Sequence, residues 1–597
     1  MKLVCAFGLF AVFAFVLYGW GWAVRRLVGA EARSWPSTAA SGMAAVVFVG
    51  GVLNLARLAY PWALACVAIA GAALAARAIR LSIPNLAGRR PAPPWPVWLL
   101  ASGVLCFVVL TQVPPRAYNF HDDYQKYFVH PVRMLETGSV FETPLNVVGF
   151  DTLGGQAFLD GFAVAFFPIR YINGVDAAFS LFLCMMLASQ FTKGRRELMP
   201  MTIVCALSVV FINPEYVNIS ALYTGGLLVM ALIEERAVSP AVTGLLYAAL
   251  LALKTSFAPF VALHFLAVLF AGGVKRASRA AVACGLFLSP WILLHAPLYW
   301  DMLHAVRTVP DNGVRPQENF HMFSTAALDY GATPANYTGL MIAIGLSGLL
   351  IVWALRKVDS VAASCFAVVA VYFIMVYVSG PRNAGYAQAI RYFTPLAIGA
   401  APAAFGSATR ALLEAGRPQS RFLRLGIPLL IASVPVLAFA PSLRDRVKQS
   451  LDAGSELAFW WLAKDPDYID YNREVLYGDM RQRVALAQAA APAGETLVAW
   501  INAPFYLDYA RNRIADVQPG SGLTAPWAKI PEAHYFIWEY NGYANIDPST
   551  YREEMAEAPD LTRRYSGARL SITEQLDARM QRGQKLYDDG AIAVFRE

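Results

Sequence analysis

Two adjacent carboxylates, Asp122 and Asp123, are the side chains of this sequence whose type and position best suit chemistry. They follow a long apolar segment that ends near Val113, and they open the first long polar connection of an otherwise apolar chain. Hydrocarbon does not solvate a carboxylate, so one at a membrane boundary needs water, a cation or a reacting partner. One carboxylate could act as general base on an acceptor hydroxyl while its neighbour orients the acceptor or holds a cation.

The alternative for this pair is a solvated loop or a helix cap, for which aspartate is common. The neighbours favour chemistry, because His121, Tyr127 and His130 add protonatable or hydrogen-bonding groups. In a helix, Asp123, Tyr127 and His130 would share one face, although Pro131 disfavours helical geometry at the residue before it. The spacing of these groups matches no standard metal motif, so we predict no metal ligands and leave a divalent cation, Mg²⁺ or Mn²⁺, as an open alternative.

Basic residues form a second group of candidates. Lys254 ends an apolar segment, and Arg382 and Arg391 lie in one short connection. The positive-inside rule depletes the outer membrane face of Lys and Arg, so those that remain are candidates for binding a phosphate. Snorkelling to lipid headgroups is the alternative. His321 lies in a loop, 297–336, whose aromatic and polar residues suit either a sugar-binding surface or an ordinary aromatic belt.

Membrane-length apolar segments must position these residues. The chain is 57% hydrophobic and only 15% charged, which excludes an ordinary soluble protein. Its net charge of +8 comes mostly from clusters beside apolar segments, which favours anchored helix ends over nucleic-acid binding. All seven cysteines fall inside apolar segments, so no disulfide framework is predicted.

About 14 segments are candidate spans: 3–24, 38–56, 60–77, 97–113, 172–191, 199–213, 217–233, 238–254, 257–272, 279–296, 337–355, 359–378, 387–405 and 424–441. The apolar segment 156–168 is too short to span and fits a re-entrant or interfacial piece.

Positive charge orients the spans. The connections that carry clustered Arg and Lys all fall on one side of the predicted topology, which is therefore the cytoplasmic side. Loops 114–171, 297–336 and 379–386 and the tail after 441 then lie on the opposite face. No small-residue cleavage site follows residues 1–24, so we predict an uncleaved anchor there.

The tail, residues 442–597, predicts a small α/β domain after a membrane domain of residues 1–441. Its patterns indicate helices over Ser442–Ala463 and Val475–Ala491 and strands within Thr496–Ile501, Arg513–Val517, His534–Tyr540 and Ala591–Phe595. Gly520-Ser-Gly522 lacks the third glycine of a nucleotide-binding fingerprint, so it predicts no cofactor.

Together these residues resemble the GT-C superfamily of membrane glycosyltransferases, in the branch with lipid A aminoarabinose transferases and protein O-mannosyltransferases. Many such enzymes open their first large outer loop with a carboxylate pair, followed by a tyrosine and a short helix, as Asp122-Asp123, Tyr127 and Arg133–Gly138 do here. Leu253-Lys-Thr255 is similar to a later lysine motif. Arg391-Tyr392-Phe-Thr-Pro395 is similar to the start of a late helix whose arginine meets the donor phosphate.

The resemblance implies an α-helical polytopic enzyme that moves a sugar, with inversion, from a polyprenyl-phosphate donor to a periplasmic glycan, lipid or protein acceptor. The base would be Asp123 or Asp122, since the second acid is Asp where Glu is commoner and Tyr127 keeps the usual spacing only from Asp123. The other implied residues are Arg391, Arg382 and Lys254 for the donor phosphate and His121, Tyr127, His130, Tyr392 and His321 for substrate. The compartment implied is a bacterial inner membrane, with the tail in the periplasm.

Two other functions stay open. One is an O-antigen ligase or polymerase of a different membrane-transferase architecture, with a lipid-diphosphate donor. The other is a non-enzymatic transporter, for which charged or broken helices near the bilayer midplane are expected. In this sequence the ionisable residues lie mostly at the ends of the apolar segments, which favours a transferase.

Overall fold

Apolar helices form the N-terminal part of the protein. The computed structural model of the chain describes residues 2–30, 33–82, 95–111, 123–124, 127–141, 152–192, 199–211, 221–235, 239–308, 394–396, 398–400, 402–403, 474–476, 478–516, 533–540 and 578–597. Up to residue 308 the α-helices are α1 (Lys2–Leu27), α2 (Trp35–Leu55), α3 (Pro61–Ser82), α4 (Trp95–Thr111), α5 (Val129–Thr137), α6 (Gly155–Phe166), α7 (Leu181–Ala188), α8 (Met199–Phe211), α9 (Leu222–Glu235), α10 (Pro240–Leu253), α11 (Ala258–Gly272) and α12 (Val274–Thr308). A π-helical segment, Gly174–Ser180, runs directly into α7.

Four helical segments of the described residues are long and apolar enough to cross a membrane. They are Trp35–Leu55, Pro61–Leu81, Ile169–Phe191 and Val274–Trp300. Trp95–Cys106, Pro240–Leu253 and Thr255–Phe270 are apolar but shorter. The predicted spans 337–355, 359–378 and 424–441 lie outside the described residues, and 387–405 is described only in part. The protein is therefore helical with membrane-length segments, and the number of about 14 spans stays a prediction.

Exposed aliphatic side chains distinguish the outer helices from the central ones. Ile69 of α3 and Val282, Leu286 and Leu293 of α12 are all exposed, whereas most of α2 is buried. Large apolar side chains exposed along a helix are unfavourable in water but suited to lipid. Helices α3 and α12 therefore present apolar surfaces that would suit lipid, and α2 lies inside the helical layer.

Helices α1 and α2 approach closely because glycines lie where their backbones cross. A Cβ on Gly21 would come within 1.7 Å of the Thr38 carbonyl oxygen, and one on Gly42 within 1.8 Å of the Leu17 carbonyl oxygen. Small residues at such crossings allow the backbone-to-backbone contact that drives helix association in membranes. Any larger residue at Gly21 or Gly42 would separate the two helices.

The two ends of α2 carry different polar contacts. Before its first residue, Arg25 pairs with Glu235 at the end of α9, with Nη2 and Oε2 2.8 Å apart and both side chains buried. Beyond its last residue, the Ala59 amide donates to the Gly138 carbonyl, just past α5, at 2.9 Å. A helix of this length spans about 30 Å. Helix α5 therefore lies at the opposite end of the helical layer from the Arg25–Glu235 pair.

A small α/β domain forms the C-terminal part of the described chain. Its helix is α13 (Met480–Ala489), and its strands are β1 (Thr496–Trp500), β2 (Arg513–Asp516), β3 (Tyr535–Glu539), β4 (Gln584–Asp588) and β5 (Ile592–Arg596). The sheet order is β2-β1-β3-β5-β4. Strand β1 pairs in parallel with β2 and β3, and β5 pairs antiparallel with β3 and β4. The predicted α/β domain is confirmed.

Both faces of this sheet are covered. Leu497 and Ile537 pack in a core that also contains residues of α13, whereas Val498 and Phe536 pack in a second core on the other face. Neighbouring residues of a strand point to opposite faces, so these strands read as continuous apolar runs. Trp500 and Trp538 stack at 5.3 Å on the second face, and the Glu539 carboxylate accepts the Asn502 amide at 2.7 Å. The segment around Trp538 is therefore structural.

Several boundaries differ from the prediction. Strand β4 was not predicted, because as an exposed edge strand it has no apolar alternation. Helix α12 continues through Pro297 to Thr308, so loop 297–336 begins as helix. Proline is tolerated inside membrane helices because neighbouring groups satisfy the backbone carbonyl that it leaves without a donor. The predicted helix Ser442–Ala463 and the domain boundary near 442 lie outside the described residues.

Candidate functional site

Asp123 lies in a turn immediately before α5. Its carbonyl accepts a hydrogen bond from the Phe128 amide at 2.9 Å, which closes a π-type turn, and the residue is only 7% exposed. Pro131 has no N–H to donate to the carbonyl of residue 127, so α5 begins at Val129 with the proline in its first turn. The α-helical spacing that would align Asp123 with Tyr127 and His130 is therefore replaced by the wider π-type turn.

Helix α5 confirms the short helix expected between Pro131 and Gly138. It ends at Gly138, which has φ 81° and whose amide donates to the Met134 carbonyl at 2.8 Å. A Cβ at Gly138 would lie 2.3 Å from the Arg57 carbonyl oxygen. Glycine is thus required there both for the left-handed conformation and for contact with the α2–α3 turn.

Polar groups fasten the end of α5 to the helical layer. Asn54, buried near the end of α2, accepts the Val140 amide at 2.8 Å and donates to the Gly50 carbonyl at 2.8 Å. The buried Arg133 guanidinium donates to the Val140 carbonyl. A buried backbone group without a partner is costly, so these bonds fix the path of the chain after α5. His130, in the first turn, is also buried.

Lys254 lies at the same end of the helical layer as α5. It directly follows α10, and the Ala252 carbonyl in the last turn accepts the Leu153 amide at 3.3 Å. The next residue, Gly154, packs so closely on Val140 that a Cβ there would lie 2.9 Å from the Val140 side chain. Segment 152–154 therefore bridges the end of α10 to the end of α5. His295 of α12 joins it, with Nε2 2.9 Å from the Leu153 carbonyl oxygen.

The remaining predicted site residues are not all described. Asp123, Tyr127, His130 and Lys254 lie in described segments, and all four belong to one end of the helical layer. The following lie outside the described residues: Asp122, His121, Arg382, Arg391, Tyr392 and His321. In the part of the chain that is described, no three His, Cys, Asp or Glu side chains are grouped so that they could hold a metal ion.

Sequence reasoning missed the contact between the C-terminal domain and the Asp123 turn. Phe505, in a 3-10 turn after β1, packs its ring 5.2 Å from Tyr124 and 4.8 Å from Phe128. All three rings are buried. The only sequence signal was the apolar segment Ala503-Pro-Phe-Tyr506, which follows a strand where a polar turn is the usual choice.

Glu136, in the last turn of α5, makes a polar contact with the same domain. Its Oε2 accepts the Tyr509 amide at 2.7 Å. Burial raises the pKa of Glu136 to about 7, against the lowering effect of the Tyr509 N–H. Asp508 raises this pKa further and Arg481 lowers it. A carboxyl group that changes charge near neutrality thus lies between the helical layer and the α/β domain.

No protein-family model matches the chain, and no curated protein matches it. A function must therefore be inferred from the residues at this end of the helical layer.

Proposed function

We propose that the chain is an inverting membrane glycosyltransferase with Asp123 as its general base. The observation that carries this proposal is the setting of Asp123. Asp123 is largely buried, in a turn closed by the backbone bond from Phe128, at one end of a layer of membrane-length helices. A carboxylate that the fold holds in one position can take the proton of a hydroxyl bound within hydrogen-bond reach.

In the proposed reaction Asp123 takes the proton of an acceptor hydroxyl. The hydroxyl oxygen forms a bond to the anomeric carbon of the sugar, and the bond from that carbon to the donor phosphate oxygen breaks. The electron pair of the broken bond leaves with polyprenyl phosphate, and attack from the opposite side inverts the anomeric centre. Asp122 is the alternative base.

Lys254 is proposed to neutralise the leaving phosphate, because it lies at the same end of the layer as Asp123. Fixed positive charge that meets developing negative charge lowers the barrier to such a step. Arg391 and Arg382 would serve the same phosphate, as the resemblance to GT-C enzymes implies. Tyr127, His130, His121, Tyr392 and His321 would contact substrate.

The wider proposal is a GT-C-like protein of about 14 spans in a bacterial inner membrane, with the α/β domain in the periplasm. One pair of contacts supports this topology. Arg25, in the last turn of α1, and Arg33, just before α2, both approach Glu235, which directly precedes Arg236 in another basic connection. Basic connections that the topology assigns to one side therefore lie near each other. The acceptor would be a glycan, lipid or protein of the cell envelope. A lipid-diphosphate donor, as in O-antigen ligases and polymerases, is the alternative within the transferases.

One observation favours a transporter instead. Asp176 is a fully buried carboxylate in the π-helical segment of the membrane-length segment Ile169–Phe191. However, its two oxygens accept the backbone amides of Tyr223 and Thr224 at 3.3 and 2.8 Å. That carboxylate caps α9, a structural role, so a transferase accounts better for the described residues.

The experiment is a transfer assay on the purified protein in lipid nanodiscs. Radiolabelled polyprenyl-phosphate sugars and crude envelope acceptors are offered, with and without EDTA. We expect Asp123→Asn to lower the rate by about 10²-fold or more, because amide nitrogen and oxygen cannot accept the hydroxyl proton. Glu474→Gln, an exposed carboxylate of the α/β domain, is the matched control.

Transfer that persists in Asp123→Asn, in Asp122→Asn and in the double variant, all of unchanged thermal stability, would contradict the general-base proposal. Activity only with lipid-diphosphate donors would move the chain to the ligase or polymerase type.

A further inference from the structure

The C-terminal domain packs the ring of Phe505 against the turn that contains the candidate base. Phe505 lies against Tyr124 and Phe128, and these two rings also meet each other edge to face at 5.2 Å. Tyr124 follows Asp123 in sequence, and Phe128 donates its amide to the Asp123 carbonyl. The ring of Phe505 therefore packs on both residues that define the backbone turn of Asp123.

A second contact lies at the other end of α5. The Tyr509 amide donates to Glu136, and Phe128 and Glu136 are eight positions apart, which is about 12 Å along a helix. Two separate contacts from one domain thus bracket α5. Contacts at both ends of a helix oppose its rotation as well as its displacement.

The loop that makes these contacts is itself held firmly in the α/β domain. The Tyr509 hydroxyl donates to the Pro504 carbonyl at 3.0 Å, and the Tyr506 hydroxyl donates to the Val475 carbonyl at 2.8 Å. The Gln488 side chain of α13 accepts the Asp508 amide and donates to its carbonyl, both at 2.8 Å. Phe505 is therefore presented by a loop that side-chain hydrogen bonds hold against the rest of the domain.

From this arrangement we infer that the C-terminal domain positions the candidate base, with Phe505 and the Tyr509 amide acting on the Asp123 turn and on α5. They are positioning groups, since neither touches a reacting atom. The catalytic consequence rests on the proposed function, whereas the positioning of the turn can be measured without any activity. Small displacements of a general base are known to reduce rates strongly, which is why such support matters.

The test is amide hydrogen exchange of the full chain in nanodiscs, compared among variants. In Phe505→Ala we expect exchange in residues 123–137 to rise at least tenfold, because the turn loses its packing partner. Phe505→Leu should restore part of the protection. Phe595→Ala is the matched control. Phe595 is buried on the other face of the sheet, so this substitution should weaken the domain without removing a contact to the turn.

Transfer kinetics give the second measurement. If the protein transfers sugar, Phe505→Ala should lower kcat by about tenfold or more and leave the KM for the donor nearly unchanged, whereas Phe595→Ala should retain kcat. Unchanged exchange at 123–137 in Phe505→Ala, or an equal rise in Phe595→Ala, would overturn the inference. So would raised exchange with an unchanged kcat. If the wild-type protein transfers no sugar, the proposed function fails, and the exchange data alone decide whether the domain holds the turn.

Discussion

Glu136 joins the helical layer to the α/β domain through a carboxyl group whose charge depends on pH. Its pKa of about 7 lies well above the ordinary 4.5, chiefly because of burial. The folded protein therefore binds this proton more tightly than the unfolded chain does. The stabilisation is fully present below pH 4.5 and is lost as the pH rises through about 7.

Glu136→Gln tests this linkage. The amide oxygen can still accept the Tyr509 N–H, but the side chain no longer ionises. We expect the variant to be more stable than the wild type by about 1–3 kcal/mol at pH 8 and nearly equal to it at pH 5. The measurement is the free energy of unfolding of both proteins across this pH range.

Other ionisable groups around α5 make the comparison with the wild type necessary. They are Asp508 and Arg481 from the α/β domain, His130 and Arg133 on α5 itself, Asp160 on α6 and Arg57 in the α2–α3 turn. Their charges act on both proteins alike, so the difference between the two stability curves isolates Glu136. Parallel stability curves for the two proteins would contradict the assignment.

At the scale of single residues, the sequence marks Asp123 as a candidate but does not predict its surroundings. A carboxylate pair after an apolar segment is visible as a local pattern, and Pro131 and Gly138 mark the limits of α5. The partnership of Phe505 with Tyr124 is not visible, since it depends on a contact between residues far apart in the chain. The apolar character of a residue predicts that it is buried but does not predict which distant residues it will contact.

At the scale of elements, Asp176 links the π-helical segment to α9. Its carboxylate satisfies two of the four amides that every helix leaves without an intrahelical acceptor at its first turn. It also places a negative group at the positive end of the helix dipole. The bond between the Ser180 and Thr224 hydroxyls, at 2.9 Å, lies between the same two elements.

Asp176→Ala should therefore weaken the protein without touching the proposed reaction. We expect a loss of about 1–3 kcal/mol in unfolding free energy, because two buried amides lose their acceptor. Asp176→Asn keeps one carbonyl oxygen and should lose less. Thermal unfolding in detergent measures both, and equal stability of Asp176→Ala and wild type would rule out the capping role.

Elements with a strong local pattern were predictable, and elements without one were not. Buried strands such as β1 and β5 appear as short apolar runs, and α5 has proline and glycine at its ends. The edge strand β4 has four exposed residues out of five, so burial leaves no trace in its sequence. The π-helical segment widens the turn by one residue without any residue type that demands it.

At the scale of the whole molecule, the buried Arg25–Glu235 pair joins the end of α1 to the end of α9. Arg25 also donates to the Ser41 hydroxyl at 3.1 Å, and Arg33 approaches the same Glu235 oxygen at 3.7 Å. The pair lies across the helical layer from α5, so it is remote from the candidate base. Its contribution is to the assembly of the helices.

Glu235→Ala should destabilise the protein by about 3–5 kcal/mol, because it removes the carboxylate that lies 2.8 Å from the buried Arg25 guanidinium. Replacing both residues by methionine should cost much less, since neither charge of the pair is then left to bury. Glu234→Ala, at the neighbouring and less buried position, is the control. Unfolding free energies that are equal in Glu235→Ala and Glu234→Ala would show that the pair is not a structural link.

Helix α5 and the loop of the α/β domain that contacts it are far apart in sequence, which has a consequence for biosynthesis. Glu136 and Tyr509 are 373 positions apart, and β5, which pairs with both β3 and β4, is made later still. At ordinary rates of translation, roughly 20–75 s pass between the synthesis of α5 and that of the loop that holds it. During that time the Asp123 turn lacks the contacts that Phe505 and Tyr509 provide. A nascent chain would thus lack this support for the Asp123 turn until the strands of the α/β domain have been made and paired.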